Sequence, residues 1–83
     1  MEVVAPKAGD FFAASNGVSV YVNVGRHAVR VHFASAESPA EVDGEPDADT
    51  EKAVRAAARA FHAYRRRLLP LFDRIARELA TRH

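Results

Sequence analysis

Two hydrophobic periods divide the chain. Between Phe11 and Phe33 apolar residues recur at every second position, whereas between Val54 and Leu79 they recur at alternating steps of three and four. Period two is the mark of a strand with one buried face, and the three-four rhythm is that of a helix packed along one stripe. The chain therefore predicts a sheet followed by a helix.

Two turn signals punctuate the strand region. Asn16-Gly17 follows Phe11 to Ser15, and these residues tolerate the positive φ that a type I′ turn needs at both centres. Val18, Val20, Val22 and Val24 then alternate with Ser19, Tyr21 and Asn23. Gly25-Arg26 suits a type II′ turn, and Val29, Val31 and Phe33 continue the alternation on a third strand. Two-residue turns at these points pair Val24 with His27, Val22 with Val29, Val20 with Val31 and Val18 with Phe33. On the other side they pair Ser15 with Val18, Ala13 with Val20 and Phe11 with Val22. Both registers gather Phe11, Ala13, the valines and Phe33 on one face, the expected core. Phe12, Ala14, Ser19, Tyr21, Asn23, Arg30 and His32 fall on the other. A one-residue slip would exchange the faces, so the agreement of the two turns supports the assignment. Residues 1–10 read as an N-terminal arm or edge strand, β-prone at Glu2-Val3-Val4-Ala5 and stopped by Pro6.

The helix is expected over 50–82. Its seam is Val54, Ala57, Phe61, Tyr64, Leu68, Leu71 and Ile75, widened by Ala58, Phe72 and Leu79. Arg55, Arg59, His62 and Arg66 lie on the far side, with Arg65 and Arg67 alongside. Asp47 is the expected N-cap, and Glu51–Arg55 and Asp73–Arg77 are favourable i,i+4 pairs. Pro70 removes one backbone donor and crowds the carbonyl of Arg66; because the seam keeps its phase across it, a kink is expected rather than a turn. Such a helix extends roughly 48 Å if straight, against about 23 Å for a seven-residue strand. The alanine-rich proximal half fits the valine face, but the leucine-rich distal half is left without an evident partner. Either the distal half folds back over the sheet or it packs on a second copy; the heptad-like spacing favours the second, which makes Leu68, Leu71, Phe72, Ile75 and Leu79 the expected interface of a homodimer. The predicted fold is a single α+β domain: a three-stranded antiparallel β-meander over 11–34, an exposed loop over 35–49 and one long C-terminal helix kinked near Pro70 (βββα).

Charge changes this picture more than composition does. The net charge of +1 hides a polarity: residues 36–51 hold seven acids and no base, and residues 52–83 hold nine Lys or Arg against two acids. With 83 residues there is room for one modest core, and with no Cys there are no disulfides or thiolate metal sites. The first ten residues lack the basic start and apolar run of a signal peptide, and no stretch approaches the ~18 apolar residues of a membrane span. A cytoplasmic protein without membrane association is the expectation.

Candidate chemistry is sparse. Of the four histidines, His27 and His32 point to opposite faces of one strand, His62 is alone on the helix and His83 is terminal, so no metal or other cofactor is expected. The acidic loop does not fit a calcium loop, since in a frame from Asp43 the glycine falls second and the twelfth position is Val54. Ser19 and His32 are cross-strand neighbours, but no orienting group or oxyanion hole accompanies them; a hydrogen bond is the expectation, and the protein reads as a non-enzyme. Phe12, Tyr21 and Arg30 are expected in one cross-strand row beside His32, a platform suited to a partner or to single-stranded nucleic acid. Arg55, Arg59, Arg65, Arg66 and Arg67 offer a basic surface to phosphates, to an acidic protein or to the chain's own acidic loop. The expected function is that of a small regulatory or inhibitor-like protein that binds an unidentified protein partner, as a homodimer. Nucleic-acid binding is the alternative, and a structural assembly subunit the third reading.

Overall fold

A computed structural model describes residues 2–81; Met1, Arg82 and His83, where the expected helix and the fourth histidine end, lie outside the described residues. The architecture is an antiparallel sheet covered on one face by one long C-terminal helix, but the sheet has five strands rather than three. These are β1 (Val3–Val4), β2 (Phe11–Ala14), β3 (Gly17–Val24), β4 (His27–Phe33) and β5 (Glu41–Val42), followed by α1 (Ala48–Thr81). β1 and β2 lie end to end along one edge of β3, and β4 and β5 follow on the other side.

The β3–β4 hairpin has the predicted register, from Val24 opposite His27 to Val18 opposite Phe33. Gly25 supplies the positive φ of 60° at the first turn position, and no non-glycine residue among those described has positive φ, as a type II′ turn requires. The β2–β3 hairpin departs from the expectation. Its turn is Ser15-Asn16, and Phe11 faces Val20 and Ala13 faces Val18, a shift of two residues. Asn16 does not take the left-handed conformation that a type I′ turn demands. The positive φ, 147°, falls instead on Gly17, where a Cβ would overlap the carbonyl oxygen of Phe33. Only glycine lets β3 approach the end of β4 so closely. Because the shift is an even number, every side chain keeps its face and the core is unchanged.

Of the two short strands, β1 is among the expected alternatives and only β5 is hidden by its length. β1 realises the edge-strand alternative for the N-terminal arm, with the Gly25 amide donating to the Glu2 carbonyl at 2.8 Å and buried Pro6 ending the segment. β5 lies inside the expected 35–49 loop, where Val42 faces Val31 and Glu41 faces His32. Two residues are too few to display a period.

The core is the valine face, Phe11 and Phe33 packed against Ala53, Ala57, Ala60 and Phe61, with small side chains letting the helix lie close. Ala53 and Ala60 join the seam, and Ala58 and Leu79, expected to widen it, are exposed. Asp47 caps α1 as expected: its Oδ1 accepts from the Thr50 amide at 2.7 Å and its carbonyl from the Glu51 amide at 3.0 Å. Of the two helix pairs only Glu51–Arg55 closes, at 3.4 Å between mostly exposed groups, an arrangement worth a few tenths of a kcal/mol at about room temperature.

α1 runs unbroken through Pro70. The rings of Phe61 and Phe72 meet edge to face with centroids 6.0 Å apart, although eleven residues of straight helix separate their Cα atoms by about 16.5 Å. Two phenylalanine side chains reaching toward each other do not span that gap, so the helix bends between them, where Pro70 sits. The bend supplies the partner that the distal half was expected to lack. Leu68 and Ile75 are buried in the chain's own core, and Leu71 and Phe72 are packed against it. The comparison of lengths failed because it took the helix as straight. Leu68 and Ile75 are thus not free to face a second copy, which leaves Leu69 and Leu79 as the exposed large apolar groups of the distal half.

Two outcomes follow from this packing. Leu68→Ala should lower the unfolding free energy by about 2–5 kcal/mol and Leu79→Ala by less than about 0.5 kcal/mol, read from urea midpoints; equal effects would contradict the inward fold of the distal half. Asp47 is held below its usual carboxylate range by the backbone hydrogen bond from Thr50 and then the Thr50 side chain. Its folded value is depressed, so its contribution is complete above the ordinary value of 3.8 and fades as the pH falls through the folded value. The difference in melting temperature between wild type and Asp47→Ala should therefore be largest near neutrality and shrink in acid, with Asp47→Asn retaining most of the cap.

Candidate functional site

With α1 on the valine face, no element among the described residues covers the opposite face of the sheet. The two-residue shift of β2 rearranges its rows. Phe12 lies opposite Ser19, not Tyr21, so that one row reads Phe12, Ser19, His32, Glu41 and the next pairs Tyr21 with Arg30. Phe12 and Tyr21 still meet on the diagonal, their rings stacked at 5.5 Å and 19°. They remain 39% and 55% exposed, beside Val4 at the β1 edge.

Beside the stack lies a connected polar network. The His32 Nε2–H donates to the Asn16 carbonyl at 3.3 Å, which can only accept; in the neutral ring this leaves Nδ1 to accept from the Ser19 hydroxyl at 2.8 Å. The Arg30 Nε–H donates to Ser19 Oγ at 3.3 Å, and its Nη1 reaches Asp43 at 3.2 Å. Ser19 is the hub and is fully buried beneath its neighbours. Among the described residues no buried side-chain polar atom lacks a partner.

The expected Ser19–His32 hydrogen bond is thus present, and the ring has an orienting partner that a sequence does not display, a backbone carbonyl across a turn. The arrangement is a brace rather than a reactive dyad, because a serine with no solvent contact offers its oxygen to no substrate. It fixes the planes of Arg30 and His32 next to the aromatic pair. Asp43 and Asn16 are the members that sequence reasoning missed; β5, which brings Asp43 near Arg30, carried no periodic signal.

The expected arginine site lies elsewhere. Arg55, Arg59, Arg65, Arg66 and Arg67 are exposed on α1, on the side of the two-layer fold away from Phe12 and Tyr21. The two groups of residues cannot form one continuous site. The acidic segment screens this surface in part, with Glu37 on Arg65 at 3.0 Å, while Arg59, Arg66 and Arg67 have no acid within ion-pair distance among the described residues. No group of three His, Asp or Glu side chains among the described residues is arranged to hold a metal ion. No helix among them is long and apolar enough to cross a membrane.

No family model, curated protein or solved structure matches the chain. Its functional reading rests on its own geometry.

Ser19→Ala should cost about 1–3 kcal/mol, because it leaves Arg30 Nε and His32 Nδ1 without their partner in the brace. In a double-mutant cycle with His32→Ala the two losses should couple by at least about 0.5 kcal/mol. Strict additivity would mean that the two side chains do not act together.

Proposed function

We propose that the protein is a small non-enzymatic regulatory or inhibitor-like module that binds another protein through the open face of its sheet. The stacked Phe12–Tyr21 pair carries this reading: two large rings held in mutual contact and left exposed on the face of the sheet opposite α1. Tyrosine and arginine are the side chains that most often dominate binding energy, provided that they lose little freedom on association. The stack restrains the rings, and the hydrogen bonds from Arg30 to Ser19 and Asp43 restrain the guanidinium. A homodimer belongs to this reading only in narrower form, since Leu68 and Ile75 are occupied within the chain.

Nucleic-acid binding is the second reading, favoured by Arg59, Arg66 and Arg67. It uses the helix alone, because the sheet platform faces away and its Arg30 is already paired with Asp43.

One comparison separates the two. Tagged wild type, Phe12→Ala/Tyr21→Ala and Arg59→Glu/Arg66→Glu are used to capture cross-linked partners from the native cell, with and without nuclease. The sheet reading expects a nuclease-resistant protein partner retained by the arginine variant, and bound about 30-fold more weakly or worse by the aromatic variant, the loss expected of a hot-spot pair. Undiminished capture by the aromatic variant sinks it. Loss in the arginine variant, with sensitivity to nuclease and to salt, supports the alternative.

A further inference from the structure

A separate site lies where the N-terminal segment runs beside the proximal half of α1. Between them is a groove of about 420 Å³, within the size range of small-molecule sites, roughly 300–1,000 Å³. Its apolar lining comes from both sides: Val3, Ala5 and Pro6 from the segment, and Ala60, Ala63 and Tyr64 from the helix. Of these, Pro6 and Ala60 are buried, Val3 and Tyr64 are half-buried, and Ala5 and Ala63 are exposed.

Lys52, Arg55 and Arg59 line the helical wall at steps of three and four, which stacks three cations along one stripe over two turns. No Asp or Glu lines the groove. Glu51 reaches Arg55 from outside, through a 3.4 Å pair whose side chains are 71% and 64% exposed and which a ligand anion can share or displace at little cost. Three cations on one stripe, of which only Arg55 has an acid partner among the described residues, create a positive potential that an anion relieves.

We propose that this groove binds a single-chain amphipathic anion, a medium-chain aliphatic carboxylate, with the headgroup against Lys52, Arg55 and Arg59 and the tail along Val3, Pro6, Ala63 and Tyr64. Charge complementarity selects the anion, and the apolar strip between the segment and the helix, buried at Pro6 and Ala60, is wide enough for a single tail rather than a bilayer surface. The site is independent of the Phe12–Tyr21 face, which lies across the sheet from α1.

The test titrates the full chain with dodecanoate below its micelle concentration, followed by calorimetry and by chemical shifts of the groove residues. Saturable one-to-one binding is expected, at least about tenfold weaker for dodecyltrimethylammonium, which carries the same tail and the opposite charge. Lys52→Glu/Arg59→Glu and, independently, the exposed-site variant Ala63→Trp should each weaken dodecanoate by a similar factor, and Phe12→Ala/Tyr21→Ala should not change it. No saturable binding by wild type, equal affinity for the cationic amphiphile, or binding only to anionic phosphatidylglycerol vesicles overturns the proposal. The wild-type comparisons decide it even if a variant fails to fold.

Discussion

The contact on which the rest of this molecule depends is the stack of Phe33 on Phe61, with ring centres 4.2 Å apart. Phe33 ends β4, and Phe61 sits mid-way along α1, so the pair joins the two layers where the sheet runs out beneath the helix. Phe11 packs on both rings from β2 at about the same distance, 6.2 and 6.1 Å, and Phe72 meets Phe61 edge to face from beyond the bend. Four phenylalanines from three elements thus share one cluster. Aromatic pairs of this kind add about 0.5–1.5 kcal/mol each beyond the area they bury, a large share of the stability of a small domain. The cluster also explains why a helix longer than its sheet need not overhang it: Pro70 weakens the hydrogen-bond ladder, and Phe72, Leu68 and Ile75 draw the distal half inward.

One face of the sheet is therefore committed to the hydrophobic core, and the other is not. Valines fill the committed face. The free face carries a polar brace, in which a buried serine, a histidine and an arginine fix one another and a turn carbonyl fixes the histidine. Burying Ser19 on a solvent-facing sheet would be unfavourable were its hydroxyl not both donor and acceptor in this network. The consequence is a rigid surface next to an exposed aromatic pair. The charge asymmetry along the chain is resolved in the same economical way, since the acidic segment adds a short strand to the sheet and lends Asp43 to Arg30 and Glu37 to Arg65. Net charge near zero thus coexists with a helix surface on which several arginines stay unpaired among the described residues.

Much of the fold was legible because it is written in local periods. Alternation placed Phe12, Tyr21, Arg30 and His32 on one face and the valines on the other, and the helical seam located Ala57, Phe61, Leu68 and Ile75 inside. Gly25-Arg26 set the β3–β4 register, since a two-residue II′ turn admits only one. The Asn16-Gly17 signal misled, because the residue that decides there is not in the turn: Gly17 is needed for its closeness to Phe33, a contact sixteen residues away in the chain. The candidate site was half visible. Its aromatic and histidine members could be placed by parity alone, whereas its row order, its hub and its link to Asp43 follow from a register and a two-residue strand that leave no period to read.

By itself, the sequence determined which side of each element faces the core and where the helix is capped and bent. Those properties repeat every two or 3.6 residues, or reside in single residues such as Asp47 and Pro70, so neighbours along the chain suffice to specify them. Tertiary structure alone decided how far β2 slides along β3, that Val3–Val4 is an edge strand rather than an arm, that Glu41–Val42 becomes a strand, and that Leu68 and Ile75 find their partners within the chain. Each of these outcomes depends on surfaces brought together by folding, and an even-numbered slip or a proline bend costs nothing in pattern, so only packing distinguishes the alternatives.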